Sequence, residues 1–202
     1  MGSRSYNLGK RKSAQDETRE RIVRATMAVH DAKGVVATSY VDIAEKAGVG
    51  AATVYRHFPT LGDLVMACGV HVWQEMQPFV PDALPALPED AQTLEQRLAW
   101  LCGELDAFYR RGGFRLAVAH AERSQVPELE QFMGAVEAGI EALAGRALGC
   151  APGVPIQRTV VALTRLPVWN SLRISGLLDE GLELWVAVVK RGAELSDEPG
   201  VG

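Results

Sequence analysis

Apolar positions recur along this chain at helical spacing, and no stretch alternates with the period of two that a half-buried strand requires. Asp16, Glu17 and Glu20 place negative charge where a helix start favours it, and Ile22, Thr26, Met27 and Val29 mark a face behind them. This first helix is expected to end at Gly34. Ser39 followed by Asp42 reads as a capping-box-like start for a second helix from about Tyr40. Ile43, Ala44 and Ala47 share one of its faces, and Gly48 stands where a helix ends through positive φ. Val49 can then fold back on the helix just left. A third short helix carries Val54 and Phe58 four residues apart as its buried stripe, and Pro59 stops it.

A fourth helix is predicted from Leu61 to about Gln77, with Leu64, Val65, Cys68, Val72 and Met76 inward. Pro78, Pro81, Pro85 and Pro88 then interrupt helical hydrogen bonding, so 78–90 is expected to be a loop. Leu94, Leu98, Leu101, Leu105 and Phe108 define a further helix ending before Gly112 and Gly113, and a shorter one follows from Phe114 to about Arg123. Pro127 suits the first turn of another, reaching Gly149. Two final helices cover roughly Ile156–Ser175, kinked at Pro167, and Leu178–Leu195. Val160, Val161, Val168, Trp169, Leu182, Leu184, Trp185 and Val189 give this last pair apolar residues on several faces. Burial on both sides, as in a two-fold four-helix interface with a second copy, would account for them.

The fold class is therefore all-α: an N-terminal three-helix unit followed by a larger helical domain. Ser39–Phe58 has the form of a helix-turn-helix, in which a small residue (Ala44), a positive-φ residue (Gly48) and a β-branched anchor (Val54) stand in register. Burial alone would not require the exposed Thr53, Tyr55, Arg56 and His57, whose hydroxyls, guanidinium and imidazole suit a phosphate backbone.

Charge sharpens this reading. The 202 residues carry a net charge of −4, yet residues 1–58 hold ten Lys and Arg against six Asp and Glu, and the remainder eleven against nineteen. A basic contact module attached to an acidic body is the pattern expected of a DNA-binding protein. Residues 1–15, with Arg4 and the cluster Lys10, Arg11 and Lys12, have too few apolar groups to pack and read as a flexible basic arm able to touch phosphates or a minor groove. Cys68, Cys102 and Cys150 lack metal-ligand spacing and read as reduced thiols. No run is apolar enough to cross a bilayer and no apolar signal core is present, so a soluble, cytoplasmic chain is expected.

The stretch DIAEKAGVGAATVYRHFPT, preceded by ERIVRATMAVHDAKG, resembles the N-terminal domain of TetR-family bacterial transcriptional repressors over residues 16 to about 76. The resemblance implies a dimeric, ligand-responsive repressor whose larger domain (77–195, with a tail at 196–202) holds an effector pocket and the dimer interface. Carried over, Thr53 and Tyr55 would contact phosphates with His57 close by. Gly50, Ala51 and Ala52 would open the recognition helix toward base edges, and Ser39 joins the DNA-contact set at the start of the motif. Two departures matter: relatives often have Lys where this chain has Ala51 and Leu61. Base readout would then rest on apolar contacts from Ala51 and Ala52, with Arg56 the one long donor. Deleting residues 1–12 is expected to weaken binding at all sequences alike.

Enzymatic readings find no support: there is no phosphate-binding glycine loop, no serine elbow and no histidine pair at ligand spacing. No cofactor is implied. His71 with Glu75, and His120 with Glu122, are too sparse for a metal site. Candidates for the effector pocket are Trp73, Met76, Trp100, Phe108, Phe114, His120, Phe132, Met133 and Trp169, with Arg165, Asn170 and Arg173 as polar residues. The expected partners are a palindromic double-stranded DNA operator, a small-molecule effector and a second copy joined through the last two helices, with no membrane. The alternative is a helical ligand-binding or interaction module whose helix-turn-helix no longer reads DNA.

Overall fold

The computed structural model describes residues 3–197, and among these the regular elements are nine α-helices and a short 3-10 turn at Pro81–Ala83, with no strand. In chain order they are α1 (Ser3–Lys33), α2 (Tyr40–Ala47), α3 (Ala51–His57), α4 (Leu61–Met76), α5 (Leu94–Glu122), α6 (Pro127–Leu148), α7 (Pro155–Thr164), α8 (Leu166–Ile174) and α9 (Leu178–Asp197). Among the described residues no helix is long and apolar enough to cross a membrane.

Three elements depart from the sequence expectation. Helix α1 already begins at Ser3, where a flexible arm was expected up to residue 15. Low apolar content limits packing, but it does not prevent backbone hydrogen bonding in a stretch free of proline. Local bonds join the two parts, from Ser13 Oγ to Glu17 (3.1 Å) and from Thr18 Oγ1 to the Ala14 carbonyl (2.8 Å). In α5 the two expected helices run together across a break at Gly113, whose φ of 47° and ψ of −134° suit a residue without Cβ. The helix expected over 156–175 is two, separated at Arg165, which is extended (φ −62°, ψ 148°). Pro167 has no N–H for the Leu163 carbonyl and its ring would collide there, so the helix stops at Thr164 and restarts.

The chain divides into two compact units, and the division differs from a single boundary near residue 76. One unit contains the chain up to Glu75 together with Phe114–Met133; the other contains Met76–Gly113 and the chain from Gly134 onward. The first is built on Ile22, Val23, Ile43, Ala44, Val54, Phe58, Leu64 and Cys68, all buried in one cluster. Leu116, Ala119, Leu129 and Met133 are the buried apolar residues of its returning segment.

The second unit has a row of aromatic rings at its centre: Phe79, Phe108, Tyr109, Trp169 and Trp185, with successive centroids 5.3–5.8 Å apart. Tyr109 Oη donates to the Thr164 carbonyl (2.7 Å) at the α7–α8 break. Arg146 donates to the carbonyls of Leu84 and Pro85, which fixes the proline-rich loop on α6. Gly139 is required in α6 because a Cβ there would lie 2.0 Å from the Phe79 carbonyl oxygen. Cys68 and Cys102 are buried, and burial pushes both thiols up to about 12, which leaves them unreactive at neutral pH.

Candidate nucleic-acid interface

The interface is assembled by local bonds. Ser39 and Asp42 form a reciprocal capping box at the start of α2: the Asp42 N–H donates to Ser39 Oγ (3.3 Å) and the Ser39 N–H to the Asp42 carboxylate (2.9 Å). Ser39 Oγ also donates to that carboxylate (2.5 Å), so the hydroxyl expected at DNA is committed to the cap. Lys33 of α1 reaches the same carboxylate at 2.5 Å, and these bonds hold the Asp42 carboxyl down to about 2. The helix ends through Gly48 (φ 63°, ψ 39°), with its N–H on the Glu45 carbonyl (3.2 Å) and the Val49 N–H on the Ala44 carbonyl (3.0 Å). That pair of bonds turns the chain sharply. Val49 packs back against the core, and α3 starts after Gly50.

Burial of Val54 and Phe58 fixes the inner face of α3; each contributes about 1.5–3 kcal/mol as an apolar side chain taken out of water. The opposite face carries exposed Ala52, Tyr55 and Arg56, with Ala51, Thr53 and His57 half-buried at its edges. Thr53 and His57 are therefore less open than the sequence suggested. Burial, followed by the charges of Arg56 and Arg19, lowers the His57 pKa and favours the neutral imidazole. Lys12 is exposed on α1, while the side chains of Lys10 and Arg11 lie outside the described residues. Leu61, at the start of α4, is 42% exposed.

Several supporting contacts escaped the sequence reading. Tyr40 stacks on Tyr55 with centroids 3.8 Å apart and planes 12° from parallel, and its hydroxyl donates to the Phe58 carbonyl (3.0 Å). The Arg19 guanidinium lies 4.1 Å from the centre of the Phe58 ring and donates to the His57 carbonyl (3.5 Å). These contacts lock the outward tyrosine to α2 and the end of α3 to α1. Thr60 and Asp63 form a second reciprocal cap at the start of α4, a pairing the T-x-x-D spacing could have revealed.

Behind α2, Glu122 at the end of α5 accepts the N–H groups of Val35 (2.7 Å) and Val36 (2.9 Å) in the α1–α2 loop. Arg115 pairs with Asp31 (2.8 and 2.9 Å) and with Glu75. Glu75 is thus held by an arginine, and His71 Nε2 lies 3.6 Å from Glu20. No group of three or more His, Cys, Asp or Glu that could hold a metal ion occurs among the described residues.

The residues proposed for an effector pocket divide between the two units. Trp73, Phe114, His120, Phe132 and Met133 belong to the first unit, and Trp73 meets Phe132 edge to face at 5.6 Å. Met76, Trp100, Phe108, Arg165, Trp169, Asn170 and Arg173 belong to the second. There Met76, Phe108 and Trp169 are buried core, and Arg173 donates to Asn170 Oδ1 (2.9 Å). A cavity within the first unit takes Phe114 and Phe132 from the predicted set, together with His30 and Arg115, which the sequence did not single out.

Residues 22–68 match the family model described as "Bacterial regulatory proteins, tetR family". No curated protein matches the sequence. In fold the chain is similar to a solved structure named "Flavonoid-responsive Regulator FrrA", with a TM-score of 0.59, 22% identity, and 88% of this chain and 97% of that one covered. Weaker likenesses are to Salmonella enterica GusR (TM-score 0.47, 15% identity, 86% and 93% covered) and to a TetR transcriptional regulator from Rhodococcus sp. RHA1 (0.39, 16%, 90% and 95%).

Proposed function

We propose that this chain is a TetR-family DNA-binding regulator, a reading supported by the match of residues 22–68, and that it acts as a homodimeric repressor that leaves a palindromic operator when a small molecule binds. The observation that carries this reading is the outer face of α3: Ala52, Tyr55 and Arg56 point away from a helix whose other face is locked by Val54 and Phe58. Side chains held this way can enter a major groove as a rigid row. Tyr55, Arg56 and Thr53 serve as phosphate or base contacts, and Ala51 and Ala52 as apolar contacts to thymine methyls.

One such helix reads only a few base pairs, so specificity calls for a second copy about 34 Å away along the duplex. Val168, Ile174, Leu177 and Leu184 are exposed apolar residues on and between α8 and α9, and they support dimerisation through that region. The effector must bind more tightly to a conformation in which the two recognition helices are wrongly spaced. Couplings of this kind are about 1–3 kcal/mol.

A fluorescence-anisotropy titration against the DNA upstream of its own gene tests the proposal. Sequence-selective binding that weakens linearly in log salt, and that Arg56→Ala diminishes, is the expected result. Failure of the intact chain to prefer that DNA over a scrambled duplex would refute it. The alternative, a ligand-binding module that no longer reads DNA, is favoured by Ala51 and by the exposed Leu61, which leave α3 and the start of α4 short of cations.

A further inference from the structure

Within the DNA-binding unit, α1, α4, the Phe114–Glu122 half of α5 and the first turns of α6 surround a cavity of about 70 Å³. A wider cleft of about 270 Å³ adjoins it, and Val65, Gly69, Leu129 and Phe132 line both spaces. For scale, an engineered apolar cavity of about 150 Å³ takes up benzene. Gly69 is the telling residue: a Cβ there would meet nothing within 4 Å. An interior helical glycine weakens a helix relative to alanine. No neighbouring atom requires the missing methyl, and its absence leaves α4 open toward both spaces.

The polar groups at the wall restrict the ligand. Arg115 is held by two carboxylates, Asp31 and Glu75, so this corner offers no free cation to an anionic ligand and carries one carboxylate in excess. His30 is largely buried, and burial pushes its pKa down to about 4, which leaves a neutral imidazole with one donor and one acceptor nitrogen. A carboxylate ligand would have to displace Asp31 or Glu75 from the arginine and give up its own hydration.

We infer that these joined spaces form a binding site for a neutral one- or two-ring aromatic molecule bearing a single hydrogen-bonding group, its ring between α4 and Phe132 and its polar group toward His30. Occupancy acts on the unit that holds the recognition helix, because α4 forms the shared wall and begins three residues after Phe58. That regulatory consequence rests on the repressor reading; the binding itself does not.

Calorimetric titration of the full chain with indole tests the site. Saturable binding, a rise in the melting midpoint and no comparable heat from indole-3-acetate are expected. Gly69→Leu, which fills the space, should weaken indole at least tenfold without lowering the melting midpoint. Phe132→Ala, which removes the ring contact, should also weaken it and stands alone if Gly69→Leu does not fold. Absence of saturable indole binding, or affinity unchanged in the folded variants, overturns the site. An operator titration on the same samples separates the two readings: intact DNA binding without indole binding removes the site alone, whereas indole binding without DNA binding removes the repressor alone.

Discussion

Removing the Glu122 carboxylate is the sharpest test of how the helix-turn-helix is held. The carboxylate accepts two backbone N–H groups from the loop that leads into α2, at 2.7 and 2.9 Å. A hydrogen bond to a charged acceptor contributes about 1.5–3 kcal/mol when its loss leaves the donor unpaired. Val35 is half-buried and its N–H would be left unpaired, whereas Val36 is 48% exposed and its N–H can turn to water. A carboxylate at the C-terminal end of α5 also opposes the helix dipole by about 0.3–1 kcal/mol, which alanine recovers. Glu122→Ala should therefore destabilise the protein by about 1–2.5 kcal/mol, and Glu122→Gln, which keeps an acceptor without the charge, by roughly half as much. Urea unfolding reads this as a lower midpoint at unchanged slope. Operator affinity should fall in the same order, Gln before Ala, because the loop sets where α2 begins. If alanine costs less than about 0.5 kcal/mol, the usual scale of a surface substitution, the loop is held by other contacts and the reasoning fails.

His30 gives a pH signature: its pKa is about 4 in the fold against about 6.5 unfolded, so the stability tied to its neutral form is complete above pH 6.5 and is lost as pH falls toward 4. Between pH 7.5 and pH 5 that amounts to about 2 kcal/mol, and His30→Gln should flatten the slope of thermal midpoint against pH. His57 is held toward its neutral form in the free protein, whereas a DNA phosphate would favour the imidazolium. Operator binding should accordingly take up a proton and tighten from pH 7.5 to 6 at fixed salt, and a His57→Gln variant with the same pH dependence would remove the residue from the contact set. Gly48→Ala should cost about 1–2 kcal/mol from its left-handed backbone alone, since a Cβ there has open space, and Gly48→Asn should cost less. Equal melting midpoints for all three chains would contradict the turn argument.

The helix-turn-helix was legible because its determinants are close neighbours: Ser39 with Asp42, Gly48 at the turn, Val54 with Phe58. Helix order was legible for the same reason, down to the interruptions at Gly113 and near Pro167. What the sequence hid depends on distant pairs. Arg115 meets Asp31 across 84 positions and Glu122 meets Val35 across 87, and no local pattern announces either. An aromatic residue at helical spacing reads alike whether it packs a core, as Phe108 and Trp169 do, or borders a cavity, as Phe114 and Phe132 do, so the pocket set could not be sorted from sequence. The extended α1 escaped because composition foretells burial better than backbone geometry.

The return of Phe114–Met133 to the first unit bears on how such a reading head could be exchanged between proteins. A single recombination junction after α4 would transplant it without Leu116, Ala119 and Leu129, which are buried there, and without the acid and the arginine that brace its first loop and first helix. Grafting would need a second junction pair enclosing that returning segment. A single contiguous cassette ending after α4 would therefore leave part of its own core behind.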